Sequence, residues 1–132
     1  MKKKIAAVPT LQVYQNLLDR AGGFYGSTSR RFTMTSQGNF DEFKKMKAAG
    51  IIMGIGTDSI GDASLMVPNS YIAELKWFVR GGYSVIDALK AGTIVNARLL
   101  DMGDDLGSIE PGKLADIIIV DGRPDENLDD LA

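Results

Sequence analysis

Two apolar runs, Ile5-Ala6-Ala7-Val8 and Ile51-Ile52-Met53-Gly54-Ile55, lack the alternation of a strand with one wet face. Each predicts a short strand, and the second reads as buried on both faces, as in a parallel sheet. Elsewhere the apolar positions recur every three or four residues, the spacing of helices with one buried face. Pro9 closes the first run, and Thr10 is placed to N-cap a helix to about Ala21, with Val13, Leu17 and Ala21 on one side and Gly22-Gly23 ending it. Asn39, followed by Glu42, predicts a second helix with a capping box, an apolar stripe of Phe40, Phe43 and Met46, and a stop at Gly50.

A third helix is expected from Asn69 to Arg80, with Ile72, Leu75 and Val79 facing inward and Gly81-Gly82 terminating it. Trp77 and Phe78 sit at core spacing within it. Ser84-Val85-Ile86-Asp87 is a second capping box, opening a helix through about Leu100. Phe24 to Gly38, rich in Ser, Thr, Gly and Arg, has no period and predicts a long loop. Beyond Gly103 the pattern changes. Ser108-Ile109 and Ala115 to Val120 flank Glu110-Pro111-Gly112-Lys113, whose Pro-Gly centre suits a type II turn, so a β-hairpin is expected there. The acidic end, Asp125 to Ala132, is expected to fray.

Strands alternating with helices predict an α/β fold with a parallel sheet. Two strands alone do not make a stable sheet of that kind, so elements that would complete it are missing. The chain has 132 residues, room for one domain, with 15 Lys+Arg against 17 Asp+Glu. A net charge of −2 offers no basic face for nucleic acid. The apolar run behind Met1-Lys2-Lys3-Lys4 is too short for a secretory signal, and no stretch approaches a membrane span, so a cytoplasmic protein is expected. There is no Cys and no His, which removes thiol catalysis, Cys-ligated zinc and every Ser-His-Asp mechanism from the chain acting alone.

Asp58, in Gly56-Thr57-Asp58-Ser59 after the second strand, is the sharpest candidate for chemistry. Ligands of parallel α/β folds gather at the carboxyl ends of strands, where a carboxylate can bind a metal or take a proton from water. A turn Asp capping a nearby N–H is the plainer reading of the tetrapeptide alone. Asp62 lies near enough to form a carboxylate pair. Gly54, Gly56 and Gly61 match neither the dinucleotide nor the P-loop fingerprint and read as close packing beside the strand. Arg30, Arg31, Lys44, Lys45 and Lys47 read as a solvated face, and Glu110, Asp116 and Asp121 as turn and edge residues.

Ile51 through Ser59 resembles the last barrel strand of the amidohydrolase superfamily. Glu74-Leu75 through Gly82-Tyr83-Ser84 and Asp87 through Thr93 resemble the helical segment that follows it, with Gly92 where Ala is usual. Gly107 through Ile117 is similar to the hairpin of that family's small β-domain. Val8-Pro9-Thr10-Leu11 resembles the preceding strand end in the imidazolonepropionase and prolidase-like branch. The resemblance implies the C-terminal part of a (β/α)8 TIM-type barrel over residues 1–103, its last two strands and helices, followed over 104–132 by a β-hairpin and acidic tail.

It also implies a metal-dependent hydrolase cleaving amide or other C–N bonds, with Asp58 as both metal ligand and catalytic proton acceptor. The family's other ligands include His residues that this chain lacks. A divalent metal, zinc by family habit, is therefore expected in the complete enzyme and none in the isolated chain, which is expected to be inactive. The implied partners are the missing N-terminal barrel portion or a second copy of the chain, and a small-molecule substrate in the complete enzyme. Nucleic acid and membrane are not expected. Three readings follow: a fragment, truncated frame or half of a split hydrolase; a non-catalytic interaction module that self-associates through exposed strand edges; and a phosphate or small-molecule binder using the Gly56–Gly61 loop.

Overall fold

The computed structural model describes residues 5–21, 36–58 and 69–132. In order they form β1 (Ala6–Ala7), α1 (Leu11–Ala21), α2 (Ser36–Ala48), β2 (Ile52–Met53), α3 (Asn69–Arg80) and α4 (Val85–Lys90). A π-helical turn (Ala91–Val95), α5 (Asn96–Leu99) and a 3-10 turn (Leu128–Leu131) complete them. β1 and β2 pair in parallel, Ala6 opposite Ile52 and Ala7 opposite Met53. The parallel pairing follows the sequence pattern, but each strand is only two residues long.

The expected barrel does not form. Among the described residues the sheet is open and has two strands, and helices supply most of the regular structure. The chain is thus an α/β fold but neither a (β/α)8 barrel nor its C-terminal remnant. Closing such a barrel takes eight strands and about 250 residues. The hairpin also fails to form. Its turn is present, with Lys113 N–H donating to Glu110 O (3.3 Å) and Gly112 at φ 90°, yet neither arm is a strand. The first arm is too short to template the second, and a lone two-stranded ribbon is marginal in water. Nor does the acidic end fray: Leu128 is buried in the core, and Lys76 on α3 pairs with Asp129.

The core lies between α1, α2, α3 and α4: α1 packs against both α2 and α3, and α3 packs against α4. Phe43, Leu75 and Phe78 are fully buried, with Met53, Ile55, Ile72, Trp77, Ala88 and Ala91 beside them. Phe43 meets Phe78 edge-on (centroids 5.0 Å apart) and Phe78 meets Tyr83 (5.1 Å), geometries that aromatic rings prefer. Helix α3 has the predicted bounds, and Ser84 caps α4 by accepting the Asp87 N–H at 3.0 Å. Helix α2, by contrast, begins at Ser36, before the expected Asn39. Of the expected Phe24–Gly38 loop, residues up to 35 lie outside the described residues, as do Arg30, Arg31, Gly61, Asp62 and the side chains of Leu17 and Ala21. Lys44 and Lys45 pair with Asp41 and Glu42, and Lys47 lies over the Tyr83 ring, a solvated face as read.

The helix after Ser84 does not run uniformly to Leu100. It widens into the π-helical turn at Ala91–Val95, where the Tyr71 hydroxyl donates to Gly92 O at 2.8 Å. A Cβ at Gly92 would sit 2.0 Å from that hydroxyl, so the tyrosine accounts for the glycine. Gly92→Ala is expected to expel Tyr71 from this position and cost about 1–3 kcal/mol of stability, measurable by urea unfolding.

Candidate functional site at the carboxyl ends of the strands

Because β1 and β2 run parallel, their carboxyl ends leave the sheet on the same side. Val8-Pro9-Thr10 follows β1, and Gly54 through Asp58 follows β2. The ladder extends one step further, Gly54 N–H donating to Ala7 O at 3.0 Å. The next residue is held by a side chain instead of a strand. Asn96 on α5 accepts the Ile55 N–H at 3.1 Å and donates its amide to Ile55 O at 2.8 Å, the same two bonds a neighbouring strand would make.

That contact explains the glycines. A Cβ on Gly54 would lie 2.2 Å from Asn96 Oδ1, and one on Gly56 would lie 2.4 Å from Val8 Cγ1. They serve close packing, as the sequence suggests, so a phosphate cradle gains no support from either. Asn96→Leu is expected to strand both polar groups of Ile55 and cost about 2–4 kcal/mol in chemical denaturation.

Beyond this fixed stretch, Asp58 is exposed and adopts φ 46°, in the left-handed region that Asp tolerates better than most residues. Thr10, after β1, has φ 48°. Both strand exits therefore turn sharply through a polar residue. Thr10 does not provide the expected cap. Glu74, fully buried on α3, accepts the N–H groups of Leu11 and Gln12 at 2.8 Å each and so closes the N-terminus of α1 from across the core. Burial pushes the Glu74 carboxyl up to about 7, against the two N–H bonds that pull it down. Burial likewise raises the Tyr71 phenol.

The sequence reading assigned no role to Glu74 or Asn96. A signal for Glu74 was available, because it falls on the same stripe as Ile72, Leu75 and Phe78, where a carboxylate has to be satisfied. Asn96 carried none, since its partner is 41 residues away.

No group of three or more His, Cys, Asp or Glu able to hold a metal occurs among the described residues. A catalytic zinc uses three protein ligands plus water, and Asp58 offers one carboxylate. By themselves these residues do not make a metal centre, so the zinc site that the family resemblance implies is not found among the described residues. What Asp58 can do from here is accept a proton or a hydrogen bond from something brought to the open strand ends.

The fold agrees with that of solved relatives of the chain. Residues 27–132 match the amidohydrolase family, and the chain belongs to that family. It is similar to the crystal structure of a Xaa-Pro dipeptidase with methionine bound in its active site, with 29% identity and a TM-score of 0.76 over 94% of this chain and 30% of the dipeptidase. It is also 33% identical over 86 residues to a 5-methylthioadenosine/S-adenosylhomocysteine deaminase of Symbiobacterium thermophilum, covering 60% of this chain and 20% of the deaminase. An S-triazine hydrolase of Gordonia rubripertincta is 34% identical over 85 residues, 60% of this chain and 18% of the hydrolase. The chain thus spans about a fifth of the length of the curated relatives it matches. No helix among the described residues is long and apolar enough to cross a membrane.

Proposed function

We propose that the chain is one component of a hydrolase acting on amide or other C–N bonds, corresponding in sequence to the C-terminal portion of such an enzyme, and that Asp58 is the residue it contributes to catalysis. The observation that carries this reading is the placement of an exposed carboxylate past the carboxyl end of β2, three residues beyond the backbone that Asn96 and Ala7 pin at Ile55 and Gly54. Family membership supports the reaction class, and the likeness to a Xaa-Pro dipeptidase supports the prolidase-like branch. Asp58 accepts a proton from the attacking water, the general-base role open to a carboxylate within hydrogen-bond reach of that water. The electrophilic assistance such a reaction needs comes from groups outside this chain, so the isolated protein is inactive. In a complete enzyme Asp58 would be this chain's ligand to a metal, which would supply an activated water, and the remaining donors would lie outside the described residues.

The test is to co-express the chain with the polypeptide encoded upstream of it. Release of amine or ammonia is then followed over a panel of dipeptides, cyclic amides and aminopurines. Turnover only when both components are present is expected. Turnover by the chain alone would overturn the composite-site reading.

A further inference from the structure

The first residues of α1 are gripped by α3 and not capped by their own chain. Glu74, fully buried on α3 with Ile72, Leu75 and Phe78, accepts the Leu11 and Gln12 N–H groups at 2.8 Å, one on each carboxylate oxygen. Three residues further along α3, Trp77 donates its ring N–H to Gln12 Oε1 at 2.9 Å. Thr10 is a residue type suited to cap a helix locally. Yet its hydroxyl makes no hydrogen bond among the described residues, and its φ of 48° lies outside the extended region of an N-cap. Taking a carboxylate out of water carries a desolvation cost that a local cap avoids. What the distant carboxylate adds is a fixed place for the chain just before the helix.

That place is the exit from β1, and it abuts the loop that carries Asp58. Ala7 O accepts the Gly54 N–H at 3.0 Å, so the chain is fastened before the exit by the second strand and after it by Glu74 and Trp77. Between the two anchors Thr10, a β-branched residue, keeps a left-handed backbone that such residues avoid. Strain of this kind persists only where the surroundings impose it. Val8 Cγ1 and Thr10 Cγ2 come to 2.4 and 3.7 Å from where a Gly56 Cβ would stand, two residues before Asp58. We propose that Glu74 is a positioning residue for the reaction proposed for Asp58. Through the backbone of Leu11 and Gln12 it holds Val8 to Thr10 against Gly56, and so sets the spacing of the two strand exits at the open end of the sheet. The inference rests on that reading of Asp58.

The test uses the chain together with the polypeptide encoded upstream, assayed well below the unfolding midpoint of every variant so that only folded molecules are compared. Glu74→Gln, which keeps one acceptor oxygen, is expected to lower kcat/KM by about tenfold, and Glu74→Leu by more. Thr10→Gly accepts the left-handed backbone without strain but gives up the methyl contact at Gly56. It should lower kcat/KM by a similar factor, and adding Glu74→Gln to it should change little, because both act through one contact. In the chain alone, two-dimensional amide NMR should show the Gly56 and Thr57 signals displaced by Glu74→Gln while that of Gly112 stays in place. Wild-type turnover that Glu74→Gln leaves unchanged would overturn the proposal. So would a further loss of about tenfold when Glu74→Gln is added to Thr10→Gly, or Gly56 and Thr57 signals that do not move. A wild-type pair without turnover would overturn the reading of Asp58 and the proposal with it, a failure that shows itself before any variant is compared.

Discussion

Between pH 4.5 and pH 8 the protein is expected to lose about 3 kcal/mol of stability relative to its Glu74→Gln variant. The cause is the buried carboxyl that closes the start of α1. Its pKa in the folded chain is raised to about 7 from an ordinary 4.5, first by burial and against the two backbone donors. Between those values the folded state holds a proton that the unfolded state has released. Stability from this group is therefore complete below about 4.5, falls as pH rises towards 7, and is flat beyond. Glutamine does not titrate, so the variant lacks this slope, and comparing the two proteins cancels the other carboxylates. At pH 4.5 the variant should be the less stable, because its NH2 is turned against one of the two N–H groups. That deficit should shrink or reverse by pH 8. Glu74→Leu, which leaves both donors of Leu11 and Gln12 unmet, should cost about 2–5 kcal/mol at pH 4.5. Urea titrations across pH measure all three proteins, and parallel slopes for wild type and Glu74→Gln would disprove the account.

In the reconstituted hydrolase, Asp58→Asn is expected to lower turnover by about a thousandfold with little change in stability. Asparagine keeps the size of the side chain and one oxygen, and it tolerates the left-handed backbone found there, φ 46°. It cannot accept a proton from water. A steady-state assay of the two-component enzyme, alongside thermal unfolding of the chain alone, separates chemistry from folding. Unaltered turnover would remove Asp58 from the reaction. An equal loss in the unfolding temperature would make its role one of holding the loop.

These expectations rest on features that differ in how far they could be read from the chain. Local signals did well. The bounds of α3, the Ser84–Asp87 cap, the Pro111-Gly112 turn and the parallel sense of β1 and β2 each follow from residues a few positions apart. Distant partners were the source of the differences. Thr10 was the natural cap for α1, yet a carboxylate 63 residues away takes the first N–H. Asn96 looks like an ordinary helix residue until its amide meets Ile55. The isoleucines of 117–119 have the β-propensity of a strand, but propensity cannot supply a neighbour to pair with, and the hairpin was inferred from one arm and a turn. The barrel was inferred from motif likeness, which says nothing about how many strands this chain can bring together. Placement of Asp58 after a strand was legible.

The docking of Leu128 and the Lys76–Asp129 pair bear on the exposed isoleucines as well. They anchor the far end of a stretch whose near end is tied where Lys113 donates to Gly103 O at 2.7 Å. A stretch held at both feet has fewer shapes open to it than a free tail would have. Trimming the last five residues should then release that stretch and lower the stability of the chain, which urea unfolding measures.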